Sequence, residues 1–85
     1  MYYVYLIKSI GDNTTYTGYS NDIKRRLIEH NLGKVNYTNK HKPYKLIYYE
    51  AYLSEKDARR REINLKKKGG QRDFLKENIG DSLTI

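Results

Sequence analysis

Five side chains stand out by type and order: Tyr5 in the run Tyr3-Val4-Tyr5, Tyr16 in the run Tyr16-Thr17-Gly18, the pair Arg26 and His30, and Glu62 inside a basic stretch. Taken together they look like a nuclease site, in which a fixed cation, an imidazole, a carboxylate and phenols act on a phosphate. Each piece alone is weak. Tyrosine favours strands, arginine and histidine are common on helices, and a glutamate among lysines is usually just solvated. Their order and spacing carry the information.

The elements that must position these residues can be read from the pattern. Tyr2 to Ile7 is aromatic and aliphatic, as a buried strand is, and Gly11-Asp12-Asn13 supplies hairpin-loop residues before a partner strand at Thr14 to Tyr19. Ser20, Asn21 and Asp22 can each cap a helix, which begins its apolar stripe with Ile23 and Leu27 and stops at Gly33. From Gly33 to Pro43 the chain is polar and basic without periodicity, and a surface loop is predicted. Leu46 to Tyr52 resumes strand character. Ser54-Glu55-Lys56-Asp57 has the form of a capping box, opening a helix that should run to Gly69-Gly70. A short amphipathic helix near Gln71 to Ile79 closes the chain. The order strand, strand, helix, strand, helix, helix predicts an α+β fold with a small three-stranded, mainly antiparallel sheet flanked by helices.

Helical geometry sorts the polar residues. With about 100° per residue and Ile23 as zero, Leu27 falls near +40°, His30 near −20° and Arg26 near −60°, so Arg26 and His30 flank the apolar stripe. Lys24 and Arg25 point away from it, toward solvent or a phosphate backbone. The plain alternatives are a surface arginine and a satisfied, semi-buried histidine near a helix C-terminus, where its charged form is favoured. In the later helix Ala58, Arg61, Glu62 and Leu65 follow the spacing of a core-facing stripe. An inward carboxylate needs a partner, either a metal ion or a protein cation such as Arg26 or Arg61. Lys66 to Lys68 spreads around the axis and reads as a solvated end that attracts phosphate.

Composition bounds what such a site can serve. A chain of 85 residues suits one domain spanning 1–85, with roughly 60% of its unfolded surface buried. A formal charge of +7 favours a polyanionic partner such as nucleic acid. Cysteine is absent, which excludes disulfides, thiolate zinc sites and cysteine nucleophiles. No run approaches the roughly 20 apolar residues of a membrane span. The N-terminus has no basic-then-apolar leader, so a cytoplasmic location is expected.

These residues resemble the GIY-YIG nuclease superfamily, in which two short aromatic strand motifs precede an Arg-x-x-x-His helix and a later metal-binding glutamate. Tyr3-Val4-Tyr5 stands for the first motif and Tyr16-Thr17-Gly18 for the second. Arg26-Leu27-Ile28-Glu29-His30 supplies the helical pair, and Glu62 within Arg60-Arg61-Glu62-Ile63-Asn64-Leu65-Lys66 supplies the carboxylate. The match runs through nearly the whole chain and is nearest to the small stand-alone bacterial members, which share Tyr37-Thr38 and Pro43 of the loop. Tyr3 replaces the first motif's glycine and Thr17 the second motif's central aliphatic residue. The family's late asparagine is placed at Asn78 rather than Asn64, which points off the inward stripe.

The resemblance implies a metal-dependent endonuclease acting on DNA, with structure-selective repair among its expected tasks. Glu62 would hold one Mg²⁺ or Mn²⁺. Arg26 would stabilise charge on the phosphate. Tyr16 or Tyr5 would orient or deprotonate water, provided a nearby arginine or metal lowers a phenol pKa from about 10. His30 would assist proton transfer or grip a phosphate oxygen, and Asn78 would complete the catalytic set. Gly18 allows close backbone approach, and Lys24, Arg25, Lys40, Lys42, Lys66, Lys67 and Lys68 supply the nucleic-acid surface. Tyr48, Tyr49 and Tyr52 are assigned to core and strand faces. Two competitors remain: a nucleic-acid-binding module of the same fold that cleaves weakly or not at all, and a small protein whose basic face binds an acidic partner.

Overall fold

The computed structural model describes residues 1–67 and 70–84. Strand β1 (Tyr2–Ser9) and strand β2 (Thr15–Ser20) form a hairpin, followed by helix α1 (Ile23–Asn31), strand β3 (Tyr44–Tyr52), and helices α2 (Glu55–Lys66), α3 (Gly70–Asn78) and α4 (Gly80–Thr84). The sheet is wholly antiparallel, with β1 central in the order β2-β1-β3. This is the predicted α+β architecture, with α4 as an added short helix.

Alternation along β1 sends its side chains to two cores. Tyr5 and Ile7 join Tyr44 on one face, where Ile23 and Leu27 of α1 cover them. Val4 packs on the other with Ala58 and Leu65 of α2 and Leu75 of α3. Burying each large aliphatic chain contributes about 1.5–3 kcal/mol. Tyr48 and Tyr52 pack against the second core as expected, whereas Tyr49 is exposed.

Local signals set the helix ends. Asp22 caps α1 by accepting the Arg25 amide at 3.0 Å. At the other end the Gly33 amide donates to His30 O and the Lys34 amide to Glu29 O, with Gly33 at φ +76°, so a left-handed glycine turns the chain back over the helix. The capping box at Ser54 does not form: Ser54 takes the N-cap place, but its side chain makes no capping bond. Helix α2 ends at Lys66, earlier than the predicted Gly69-Gly70, with Lys67 extended as its C-cap. Leu65 is its last buried residue. No helix among the described residues is long and apolar enough to cross a membrane.

Candidate active site

The site is built around β2, an edge strand with a notch. Gly18 pairs with Tyr5 of β1, and the Tyr5 ring lies across it: a Cβ at Gly18 would come within 2.5 Å of Tyr5 Cζ and 3.1 Å of Tyr16 Cε2. Only glycine leaves that space, so its part is to admit the tyrosines. The Tyr5 hydroxyl bonds His30 Nε2 at 2.8 Å. His30 Nδ1 lies 2.7 Å from the Thr38 hydroxyl, which itself donates to Val35 O at 3.4 Å. Thr38 has one hydrogen and spends it on Val35. The network therefore assigns Nδ1–H as donor to Thr38 and Nε2 as acceptor from Tyr5.

Arg26 meets the same phenol. Its guanidinium donates to the Tyr5 oxygen and, at 2.9 Å, to Glu29 Oε1, so it is gripped from two sides. Tyr16 packs edge-on to His30, with ring centroids 5.1 Å apart, and tilts against Tyr37 at 5.5 Å. Glu62 comes from α2 on the opposite face of the sheet, close enough for its charge to act on Tyr5. Its side chain is 17% exposed and pairs with Lys66 Nζ at 2.9 Å. The Lys66 ammonium also lies 5.0 Å from the Tyr16 ring centre. Tyr5, Tyr16, Arg26, His30 and Glu62, scattered over the sequence, thus form one cluster.

Burial dominates its electrostatics. Burial pushes the Tyr5 phenol up to about 12, although Arg26 pulls the other way. At Tyr5, then, desolvation outweighs the Arg26 cation, and the arginine by itself does not make this phenol acidic. Burial and the Arg26 charge lower His30 to about 4. The plain alternative of a semi-buried histidine favoured in its charged form does not describe His30, because the imidazole is fully buried and both nitrogens are bonded to hydroxyls. It touches no solvent in this structure.

The expected protein partners of Glu62 also differ. Arg61 instead turns to Glu50 with two 2.9 Å bonds, and Arg26 to Glu29. Lys66, the last residue of α2, is exposed as expected and also reaches the cluster through Glu62 and the Tyr16 ring. Arg25 lies with Arg26, Tyr2, Tyr19 and Glu55 around an adjoining polar concavity. Lys24 borders a different one with Tyr3 and Tyr49, and the exposed Lys40 and Lys42 flank the turn after α1. Lys67 is exposed, and Lys68 falls outside the described residues. Asn78 is exposed at the end of α3 beside Ile79 and Asp81, and the structure does not bring it to the tyrosines. Thr38 and Glu29, which fix the imidazole and the guanidinium, were not singled out for those parts by sequence. Thr38 sat in a loop without periodicity, and Gly33 marked only where the helix stops.

Among the described residues no three His, Asp or Glu side chains gather as a metal-binding group. A single carboxylate that already draws a cation does fit Mg²⁺ or Mn²⁺, which keeps several waters and takes further oxygens from substrate.

Comparison with known proteins agrees with the geometry. The family model described as the GIY-YIG catalytic domain matches residues 1–77. A UPF0213 protein of Streptococcus agalactiae serotype V is 46% identical over 70 residues, covering 81% of this chain and 78% of that protein. A UPF0213 protein of Staphylococcus haemolyticus is 41% identical over 66 residues, covering 76% and 79%. The solution NMR structure of the UPF0213 protein BH0048 from Bacillus halodurans superimposes with a TM-score of 0.51 at 33% identity, covering 89% of this chain and 81% of that one. With a sheet, helices and tyrosine cluster of this form and a family match over nearly its whole length, the chain belongs to the GIY-YIG catalytic domain family.

Proposed function

We propose that this protein is a divalent-metal-dependent endonuclease that hydrolyses phosphodiester bonds in DNA. The observation that carries the reading is the convergence of Arg26, Tyr5, Tyr16 and Glu62 at the notch in β2, backed by the buried His30. A binding surface needs cations, but it does not need a low-exposure carboxylate beside two phenols.

Glu62 is the residue that would hold Mg²⁺ or Mn²⁺, which when bound neutralises charge on the phosphate and favours hydroxide over water. Lys66, now paired with Glu62, would turn toward a phosphate oxygen. Arg26, fixed between Glu29 and Tyr5, presents a preset cation to the charge that develops on the phosphate. Tyr16, half-buried at the edge of the cluster, orients the attacking water. As the water's oxygen bonds phosphorus, the bond from phosphorus to the leaving oxygen breaks; the attacking water gives up its proton to solvent, and the leaving oxygen takes one from solvent. His30 and Tyr5 act one step back: the neutral imidazole fixes the direction of the Tyr5 hydroxyl, which in turn fixes Arg26. His30 is in this sense a positioning residue. Asn78 has no part in this arrangement.

Supercoiled plasmid and oligonucleotide substrates, incubated with Mg²⁺ or Mn²⁺ and with chelator, test the reading. Cleavage should require the metal and fall about 100-fold or more in Glu62→Ala, the scale seen when one electrostatic contributor to a transition state is removed. Tyr16→Phe should reduce the rate without weakening substrate binding. Binding with no cutting of any substrate would leave a nucleic-acid-binding module in its place.

A further inference from the structure

A groove adjoins the cluster, shares Tyr16 and Lys66 with it, and extends beyond it to Tyr37 and Arg72. Thr15, Tyr16, Thr17, Tyr37, Lys66 and Arg72 line this groove of about 350 Å³. Tyr37 forms its outer wall with 78% of its surface exposed, against the half-buried Tyr16 ring at 5.5 Å. Folding gains little from leaving an aromatic ring so open. Yet the ring is not on a loose loop: its neighbour Thr38 is fully buried, bonded to His30 and to Val35 O. The backbone that carries the ring is therefore anchored before any ligand arrives, with the ring resting against Tyr16. Lys66 and Arg72 set two positive charges along the groove, and Arg72 has no ion pair among the described residues.

We infer that this groove is a nucleotide subsite in which Tyr37 stacks on an unpaired base next to the scissile phosphate, while Arg72 and Lys66 face the backbone. The inference rests on the nuclease reading for its position relative to the cut. The chemistry selects an unpaired base. Within a duplex both faces of a base are covered by its neighbours, so a single protruding phenol can stack only on a base that is single-stranded or turned out of the helix. The volume is at the lower end for small-ligand pockets, which suits one nucleotide rather than a helix. Thr15 and Thr17 add hydroxyls to the floor, so the departure from an aliphatic residue at Thr17 falls where a base or sugar edge would lie.

The test uses the full chain in chelator, so that binding is read without cleavage. The probes are oligonucleotides carrying a fluorescent purine analogue whose emission is quenched by stacking, presented as a single strand, fully paired, and as an unpaired bulge in a duplex. Wild type should quench the single strand and the bulge and leave the paired form unchanged. Tyr37→Ala should lose the quenching and bind about 5- to 150-fold more weakly, the range for one stacked base. Tyr37→Phe should keep both, and Tyr49→Ala, an exposed tyrosine away from this groove, should behave as wild type. Unaltered quenching in Tyr37→Ala, or equal quenching of the paired probe, overturns the subsite. In that event metal-dependent cleavage lost in Glu62→Ala would still uphold the nuclease reading. Conversely, quenching that depends on Tyr37 in a protein that cuts nothing upholds the subsite and removes the nuclease.

Discussion

His30 shows how one buried side chain couples folding to pH. In the unfolded chain an imidazole titrates near 6.5, whereas burial and the Arg26 charge lower it to about 4 in the folded protein. Between those values the unfolded chain binds a proton that the native protein refuses, so stability rises with pH there and is lost on acidification. Full protonation of the unfolded chain at the lower end costs about 3 kcal/mol, at about 1.36 kcal/mol per pH unit. Urea unfolding measured from pH 7 to pH 4 should therefore show a steeper loss of stability in wild type than in His30→Gln, which has no proton to refuse. Parallel pH profiles for the two would mean that His30 is not held neutral. The same burial underlies the positioning role proposed for His30: its two hydroxyl partners, Tyr5 and Thr38, complete its bonding.

At the scale of elements, the placement of Glu62 depends on how α2 is tied to the sheet. Glu50 of β3 accepts from the Tyr48 and Tyr52 hydroxyls at 2.5 Å each and from Arg61 of α2 at 2.9 Å twice. Burial alone would raise the Glu50 carboxyl, but those bonds together hold it below the ordinary value. Glu50→Gln keeps the shape, removes the charge and leaves the Arg61 guanidinium partly buried without its counterion. The cost should be about 2 kcal/mol, or roughly a 10 °C fall in Tm for a domain of this size. A thermal scan showing no fall would make the cluster incidental to stability. Arg61 also shows why some of the site was legible and some was not. The apolar stripe in α2 placed Glu62 inward, the aromatic runs placed both tyrosines, and Asp22 and Gly33 bracketed α1, because each depends on neighbours within a turn or strand. Which carboxylate takes which arginine depends on contacts far apart in sequence: Glu50 with Arg61, and Lys8 with the carbonyl of Leu83 on a helix too short to announce itself. Thr38 was hidden in the same way, its role set by a loop that returns to His30.

Over the whole molecule, the formal charge of +7 does not say which cations meet a phosphate backbone. Arg25, Arg26, Arg60, Arg61 and Lys66 each have a carboxylate partner in the fold, with which a phosphate would compete, and Lys24, Lys40 and Lys42 lie outside the concavities beside the tyrosine cluster. The cations that border those concavities are Arg25 and Arg26 on one side and Lys66 and Arg72 on the other. If they make the phosphate contacts, about four backbone charges are neutralised. At about 0.7 to 0.9 released counterions per phosphate, log affinity should then fall against log salt with a slope of about −3. Raising salt from about 50 to 200 mM would weaken binding roughly 60-fold on that slope. Fluorescence anisotropy in chelator at several salt concentrations measures it. A slope near zero would remove nucleic acid as the partner and leave the acidic-protein alternative. A slope of about −6 or steeper would require Lys24, Lys40 and Lys42 to touch the backbone as well, so that the substrate wraps around the α1 side instead of lying across the β2 edge. The intermediate value alone fits a short contact centred on the notch at Gly18.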